Sequence, residues 1–468
     1  MKIKTILSIL AITTSMVILS GCKKYTDITP KGQNLLNKAS DLDLLMNVNY
    51  VTNAFTNTKQ SLLANDMYLV AVNVPNTISS ATQTISKVLL TYDESADRAA
   101  LTPTDAPYEG LYRMISTMNI AISQADVASG DPAILKQIKA EAYIIRAFLH
   151  YRLVNIYAKA FDPAASATEG GIPYVNTIEF VEQNVKNTVK EVYDNILSDI
   201  ETSFELNALP DQPKNMQRAG KGFAYALKAR VLLSMRNYQG ALDATNTALT
   251  FNSTLEDHRP LLAMPLASRT LTRNGLTAPD NLFYASASNI DPSLFTPTYE
   301  ILANSYEPGN IIKDSTTTYN YALGPVYVGL PNIPAWLAIP YQSNAAGITT
   351  SDLVLMKAEC LIRTGKINEG MDEINKIRIR RLSPYTPLTA TGEAQAMAHL
   401  QKTSRIEFLF TLKNFIDLKR WNREGKYPVT IKRTLSGVTY TLSPDSKLWT
   451  FPFPQSATQF NNTLSQNY

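Results

Sequence analysis

Residues 131–157 decide the fold, and they read DPAILKQIKAEAYIIRAFLHYRLVNIY. Asp131 is a good N-cap residue and Pro132 suits the first position of a helix, so a helix begins here. Apolar side chains then recur at steps of three and four residues: Leu135, Ile138, Ala142, Ile145, Leu149, Leu153 and Ile156. This sustained stripe predicts one long helix, which the loop at Gly170-Gly171 ends.

Helical periodicity continues on both sides of this segment. It predicts further helices at 108–128, from the capping box Thr188-x-x-Glu191 to Phe204, at 219–235, 238–249, 352–363, 367–381 and 393–412. Between them, residues 252–345 are rich in proline, glycine, serine and tyrosine, and their helical periodicity is weak. We therefore predict a helical scaffold at about 41–250 and 350–413, interrupted by a loop-rich insertion with small strands. Residues 77–104 are read as loop with strand pieces.

Two helical hairpins share one residue pattern. Ala229, Leu232, Tyr238, Ala241 and Ala248 have the same spacing as Ala358, Leu361, Ile367, Gly370 and Ile377. Small residues where two helices cross are typical of tetratricopeptide-type pairs, which bury a face only by stacking on neighbours. The fold class is therefore mainly α, with tetratricopeptide-like stacked helix hairpins; the alternative is two unrelated hairpins that coincide.

The N-terminus predicts export and a lipid anchor. Lys2 and Lys4 precede an apolar stretch that is too short to span a bilayer, and the stretch ends in Leu19-Ser20-Gly21-Cys22. We expect residues 1–21 to be a lipoprotein signal peptide and Cys22 to be lipidated. Residues 22–40 then form a tether and residues 41–468 a single domain. The alternative is an ordinary signal peptide in which Cys22 is incidental.

Composition excludes several classes of protein. The formal net charge is +4 and no polybasic arm is present, which argues against nucleic acid as a partner. The second cysteine, Cys360, lies in an apolar helical segment and is predicted to be a buried, inert thiol. His150, His258 and His399 are isolated, and no metal-binding, nucleophile or phosphate-loop motif occurs. We expect no catalysis, metal or cofactor, although two carboxylates that meet in space stay open as an acid–base pair.

Several motifs follow the order of a known family. They are Cys22-Lys23-Lys24-Tyr25-Thr26-Asp27, Tyr112-x-x-Ile115-x-x-x-Asn119, Ala140-Glu141-Ala142-Tyr143-x-x-Arg146-Ala147-Phe148-x-x-Tyr151, Gly170-Gly171-Ile172-Pro173-Tyr174, Asp417-Leu418-Lys419-Arg420-Trp421 and Pro452-Phe453-Pro454-Gln455. In these motifs the chain resembles the SusD/RagB family of Bacteroidetes outer-membrane lipoproteins. It departs from the family pattern at Thr411, Leu412 and Asn414, where Glu, Gly and Arg are usual. We interpret the missing charges as a buried structural pair that is lost together.

The resemblance implies a role in nutrient capture. Family members sit on the outer face of the outer membrane, cap a SusC-like TonB-dependent transporter, and capture a glycan or oligosaccharide. The expected function is therefore delivery of a glycan to such a transporter by a surface-facing lipoprotein. The alternatives are the same fold binding peptides or another nutrient, or a tetratricopeptide-type adaptor for a protein partner.

The candidate ligand-binding residues are rings and planar polar groups. Sugars present apolar faces that stack on aromatic rings, while amides and carboxylates pair with hydroxyls. The resemblance directs attention to the loops before the first long helix and to the central insertion. The candidates, in order, are Trp336, Tyr92, Tyr341, Asn332, Tyr68, Asp66, Tyr319 and Tyr321. Each ring has the alternative role of packing the insertion on the body; Trp421 and Trp449 are predicted to lie in the core.

Overall fold

The computed structural model describes most of the chain. It covers residues 36–69, 72–179, 183–265, 275–287, 294–313, 319–320, 326, 328–333, 335–337 and 344–468, with the backbone alone at 294–295, 319–320 and 335–337. The predicted signal peptide, Cys22 and most of the predicted tether lie outside these residues, as do Tyr321 and Tyr341.

Helices make up the body of the protein. They are α1 Ala39–Leu45, α2 Thr58–Leu63, α3 Val74–Ser79, α4 Ile85–Thr91, α5 Ala106–Gln124, α6 Pro132–Tyr157, α7 Val189–Glu205, α8 Lys221–Ser234, α9 Tyr238–Phe251, α10 Thr350–Arg363, α11 Ile367–Arg378, α12 Glu393–Glu407, α13 Leu412–Glu424 and α14 Gln455–Thr458. From α5 to α12 each helix packs against the next one in the chain. This stack of consecutive helices confirms the predicted fold class.

The strands are short and form three small sheets. They are β1 Met67–Tyr68, β2 Asn281–Phe283, β3 Leu294–Pro297, β4 Tyr319–Asn320, β5 Ala335–Leu337, β6 Ile348–Thr349, β7 Ile431–Leu435 and β8 Val438–Leu442. Four of them form an antiparallel sheet in the order β1-β3-β5-β4, and the others pair as β2-β6 and β7-β8. The predicted hairpin at Ser436-Gly437 is confirmed, since both residues have positive φ (49° and 78°), as a tight two-residue turn requires.

The two hairpins with the shared pattern do pack alike. The turn between α8 and α9 contains Arg236 with φ 64°, and the turn between α10 and α11 contains Gly365 with φ 84°. Where α10 and α11 cross, a Cβ on Gly370 would lie 2.6 Å from Cγ1 of Ile362, so only glycine lets the two helices approach this closely. Ala241 is the equivalent residue of α9, and it is fully buried.

Two parts of the secondary-structure prediction are wrong. The predicted helix at 393–412 ends at Glu407, because Phe410 turns the chain with φ 71°, and a further helix, α13, follows it. Residues 77–104 hold helix α4 and the end of α3 rather than strand pieces. The side chains of Asn73 and Thr84 accept backbone N–H groups and thereby begin these short helices, which lack a long apolar stripe.

Helix α6 is enclosed along most of its length and carries buried charges. Glu141 and Arg218 are both almost fully buried, and their side chains are 2.5 Å apart. One turn further, Arg146 binds Asp199 of α7 through two nitrogens, at 2.5 and 2.7 Å. An isolated buried charge costs several kcal/mol, so these partners fix how α7 and the loop before α8 dock on α6.

The glycine-rich loop after α6 is held by the neighbouring helices. The Tyr112 hydroxyl donates to the Pro173 carbonyl, and the Asn119 amide donates to the carbonyls of Val175 and Thr177. His150 lies between them, with Nδ1 donating to the Arg146 carbonyl and Nε2 accepting the Val175 N–H. Burial lowers the pKa of His150 to about 3, so it is a neutral structural residue.

The buried contacts of residues 417–421 explain why the sequence did not predict helix α13. Arg420 binds Glu359 of α10 through both terminal nitrogens and Asp417 through Nε, while Nε1 of Trp421 donates to the same Glu359. Lys419 donates to two carbonyls at the end of α6. Charged side chains therefore face the core beside apolar ones, so burial in this helix extends well beyond an apolar stripe.

Other predictions about the core are confirmed. Trp421 and Trp449 are buried, and Cys360 is a buried free thiol whose pKa is raised by burial. No helix in the described part of the chain is both long and apolar enough to cross a bilayer.

Replacing Arg420 with Met should lower the free energy of unfolding by about 3–5 kcal/mol, because Glu359 loses its principal buried partner. Urea denaturation measures this change. Arg423→Met, one turn along the same helix, is the matched control: its side chain is partly exposed, so a change below about 1 kcal/mol is expected. Equal losses in the two variants would contradict the role assigned to Arg420.

Candidate ligand-binding site

The four-stranded sheet joins the N-terminal segment to the insertion. Met67 and Tyr68 of β1 pair with Pro297 and Thr296 of β3, so residues more than 200 positions apart share one sheet. Further along the sheet, Trp336 of β5 is the register partner of both Phe295 and Tyr319. The structure therefore brings together the two regions in which the sequence predicted the ligand site.

A short loop, residues 328–333, lies beside this sheet. Val328 and Ile333 are buried, while Asn332 is exposed with φ 55°. Gly329 has φ 75°, and a Cβ there would meet the Asn73 side chain at 2.5 Å, so the loop rests directly on the start of α3. The Tyr299 hydroxyl donates to the Pro331 carbonyl. These contacts hold Asn332 at the surface.

Asp66 lies beneath the sheet rather than on its surface. Its carboxylate is fully buried, 2.9 Å from Nη2 of Arg405, and it accepts a long hydrogen bond from Asn414. Burial raises the pKa of Asp66 to about 6, although Arg405 opposes this shift. Asp66 thus anchors the turn that leads into β1.

Tyr92 and Tyr68 are also enclosed. Tyr92 follows α4 with φ 52°, and its ring lies 4.9 Å from the guanidinium of Arg433. Tyr68 is fully buried with its ring edge-on to Tyr299, at 6.2 Å between centroids. These two rings support the loops that carry the exposed residues and present no surface of their own.

The eight candidates therefore fall into three groups. Trp336 and Tyr319 occupy paired positions of the sheet, and Asn332 is exposed beside it; direct contact with a ligand stays a prediction for all three. Asp66, Tyr68 and Tyr92 form buried support. Tyr321 and Tyr341 lie outside the described residues.

Sequence reasoning missed the residue that holds this region together, Arg433 of β7. Nη1 donates to the carbonyls of Leu89 and Leu90, Nη2 to that of Leu62, and Nε to the Asn65 side chain. The carbonyls belong to the last turns of α2 and α4, whose partial negative charge favours a cation. No local pattern could reveal this role, because its partners lie more than 340 residues away.

A pocket of about 320 Å³ opens near this support. It is lined by the polar side chains of Asn65, Glu300 and Arg405 and by the ring of Trp421. A larger pocket of about 580 Å³ lies elsewhere, between the loop 211–216 and Phe251. Both volumes are in the range of small-molecule sites.

The described residues hold no group of three or more His, Cys, Asp or Glu side chains that could bind a metal ion. Among the histidines, His150 is structural, and Nε2 of His258 lies 3.0 Å from the Glu256 carboxylate.

Comparison with known proteins identifies the class. Residues 30–233 match the SusD-like family described as "starch-binding associating with outer membrane", and residues 342–468 match the SusD family, SusD/RagB. The SusD-like protein P2 of Formosa agariphila is 30% identical over 136 residues, which are 28% of this chain and 24% of that protein. The match thus spans about a quarter of that relative.

Solved structures have the same fold over nearly the whole chain. A SusD superfamily protein from Bacteroides thetaiotaomicron has a TM-score of 0.66 at 17% identity, over 92% of this chain and 100% of that one. A putative sugar binding protein from Bacteroides vulgatus has a TM-score of 0.64 at 15% identity, over 93% and 99%. The two SusD family models together match about 70% of the chain, and the chain belongs to the SusD/RagB family.

Replacing Arg433 with Met should lower the free energy of unfolding by about 3 kcal/mol or more, since buried carbonyls at two helix ends lose their donor. Chemical denaturation measures the loss, and hydrogen exchange should locate it in α2 and α4. Lys432→Met, the neighbouring exposed residue of the same strand, is the control and should change little. Unchanged protection of α2 and α4 in Arg433→Met would be evidence against this anchor.

Proposed function

We propose that this protein is an outer-membrane lipoprotein that binds a nutrient glycan and delivers it to a SusC-like TonB-dependent transporter. The observation that carries the proposal is the sheet in which the N-terminal segment and the insertion meet, within a chain of the SusD/RagB family. Rigid support under variable loops is what a selective binding site requires.

The ligand class rests on chemistry and on relatives. Flat rings beside amide groups suit sugars, because the rings cover apolar C–H faces while the amides bind hydroxyls. The family model is described as starch-binding, and two of the similar structures are described as sugar or carbohydrate binding proteins. We propose Trp336 as the principal stacking residue, with Tyr319 and Asn332 beside it and with Tyr321 and Tyr341 from the same insertion.

Attachment to the membrane is proposed from the N-terminus. Cys22 follows a lipoprotein-type signal, and several acyl chains on one cysteine give stable anchoring. We propose that the residues between Cys22 and helix α1 are the tether that joins the lipid to the body. A lipid-anchored protein that delivers a ligand to a transporter has to bind this ligand and not convert it. We therefore propose no enzymatic role.

Trp336→Ala should weaken glycan binding by about 1–3 kcal/mol if the indole stacks on a sugar, with base–aromatic stacking as the nearest measured analogue. The measurement is isothermal titration with maltooligosaccharides and with any glycan found in a screen of soluble polysaccharides. Peptides are screened in parallel.

The control is Phe460→Ala, which removes an exposed ring far along the chain in the C-terminal segment. It should leave affinity unchanged. Unaltered affinity in Trp336→Ala would remove this residue from the site. Binding of peptides and of no glycan would replace the proposed ligand class by the alternative one.

Cys22→Ala should move the protein from the membrane fraction to the soluble fraction of cells, because the lipid-carrying thiol is lost. Fractionation and mass spectrometry of the mature N-terminus measure this. Cys360→Ala serves as the control and should remain in the membrane fraction, since that thiol is buried. A Cys22→Ala protein that has lost residues 1–21 and still stays in the membrane fraction would exclude the anchor.

A further inference from the structure

Among the residues that the structure describes, no carboxylate pairs with the buried cation Arg152. It lies on α6 and is only 2% exposed. Nη1 donates to the Ala346 carbonyl at 3.2 Å, whereas Nε and Nη2 are buried and find no hydrogen-bond acceptor in the described part of the chain. Arg433 offers a contrast, since each of its three nitrogens donates to an oxygen.

The charged side chains around Arg152 already form ion pairs with other residues. Arg230 of α8, which faces Arg152, binds Asp352 at 2.7 Å. Lys413 of α13 is paired with Asp417. Glu407 also lines the cavity beside Arg152, and its carboxylate is paired with Arg381 at 2.8 Å. Once these pairs are formed, the positive charge of Arg152 is left over.

Aromatic contacts offset this charge only in part. The guanidinium lies 4.9 Å from the ring centre of Phe55, and a desolvated cation is attracted to the face of such a ring without being neutralised by it. Deprotonation of Arg152 does not remove this charge at neutral pH. Burial and the neighbouring Arg230 lower the pKa of Arg152 to about 9, which still leaves it charged at pH 7.

A cavity of about 30 Å³ adjoins the guanidinium. Arg152, Arg230, Lys413 and Thr411 are among the residues that line it, together with the residues 344–347. This volume is enough for one or two particles of water size. A water molecule could accept the free N–H groups, but it would leave the charge uncompensated, whereas an anion would do both.

We propose that this cavity is a buried site for a small monovalent anion of chloride size, held between Arg152 and Arg230. The anion would join four parts of the scaffold, since α6, α8, the segment 344–347 and the start of α13 all border the cavity. It is structural, and it is independent of the proposed glycan site.

The test is the chloride dependence of thermal stability in the full chain. Chloride is exchanged for gluconate, which is too large for the cavity, at a constant total of about 0.5 M so that surface pairs are screened equally. A ligand that binds only the folded state stabilises it, so the wild-type Tm should rise by roughly 3 °C from gluconate to chloride. An equal Tm in the two salts overturns the proposal and indicates water in the cavity.

Two variants remove the need for the anion in opposite ways. Arg152→Met deletes the charge, and Thr411→Glu supplies a carboxylate from the cavity wall. Both should lose the chloride response, whereas Arg113→Met, on an exposed part of α5, should keep it. If Arg152→Met does not fold, the chloride response of Thr411→Glu alone tests the proposal. A full chloride response in either cavity variant would place the anion elsewhere and overturn the assignment.

Discussion

The structure depends on one constraint: a buried charge on an enclosed helix needs an opposite charge from outside that helix, either from another element or, as proposed for Arg152, from a bound anion. Helix α6 carries Glu141 and Arg146 into the interior, and each finds an opposite charge on a different element. The pairs contribute little net stability compared with apolar side chains of the same size. What they supply is position, because any other docking of α7 or of the segment before α8 would leave a charge unmatched.

Buried charges with partners on distant elements also support the proposed binding surface. Arg405 meets Asp66 below the first strand, and Arg433 closes the helices that precede it. A small separate apolar cluster joins Met67 of the first strand to Ile301 and Phe410. The loops at the surface are thus supported from below, as selective recognition requires.

The sequence predicted the structure well where buried apolar residues recur with the period of a helix. Stripes of apolar residues predicted α5 to α11, and small residues at matching positions predicted the crossing at Gly370. It was uninformative where polar groups are buried. The sequence did not predict helix α13, because Asp417 and Arg420 face inward. The sequence also suggested that Asp66, Tyr68 and Tyr92 lie at the surface, although their partners bury them. The partners of Asp66 and Tyr92, which are Arg405 and Arg433, come from the far end of the chain, and no local signal connects them.

The position of Arg433 has a consequence for how the protein reaches its native state. The helices it closes, α2 and α4, belong to the first quarter of the chain, whereas β7 belongs to the last tenth. Contacts of such long range form late and slowly, since a large loop of chain must be closed first. In synthesis from the N-terminus, α2 and α4 therefore emerge long before β7, and the carbonyls at their ends lack the Arg433 donor until the last tenth of the chain is made.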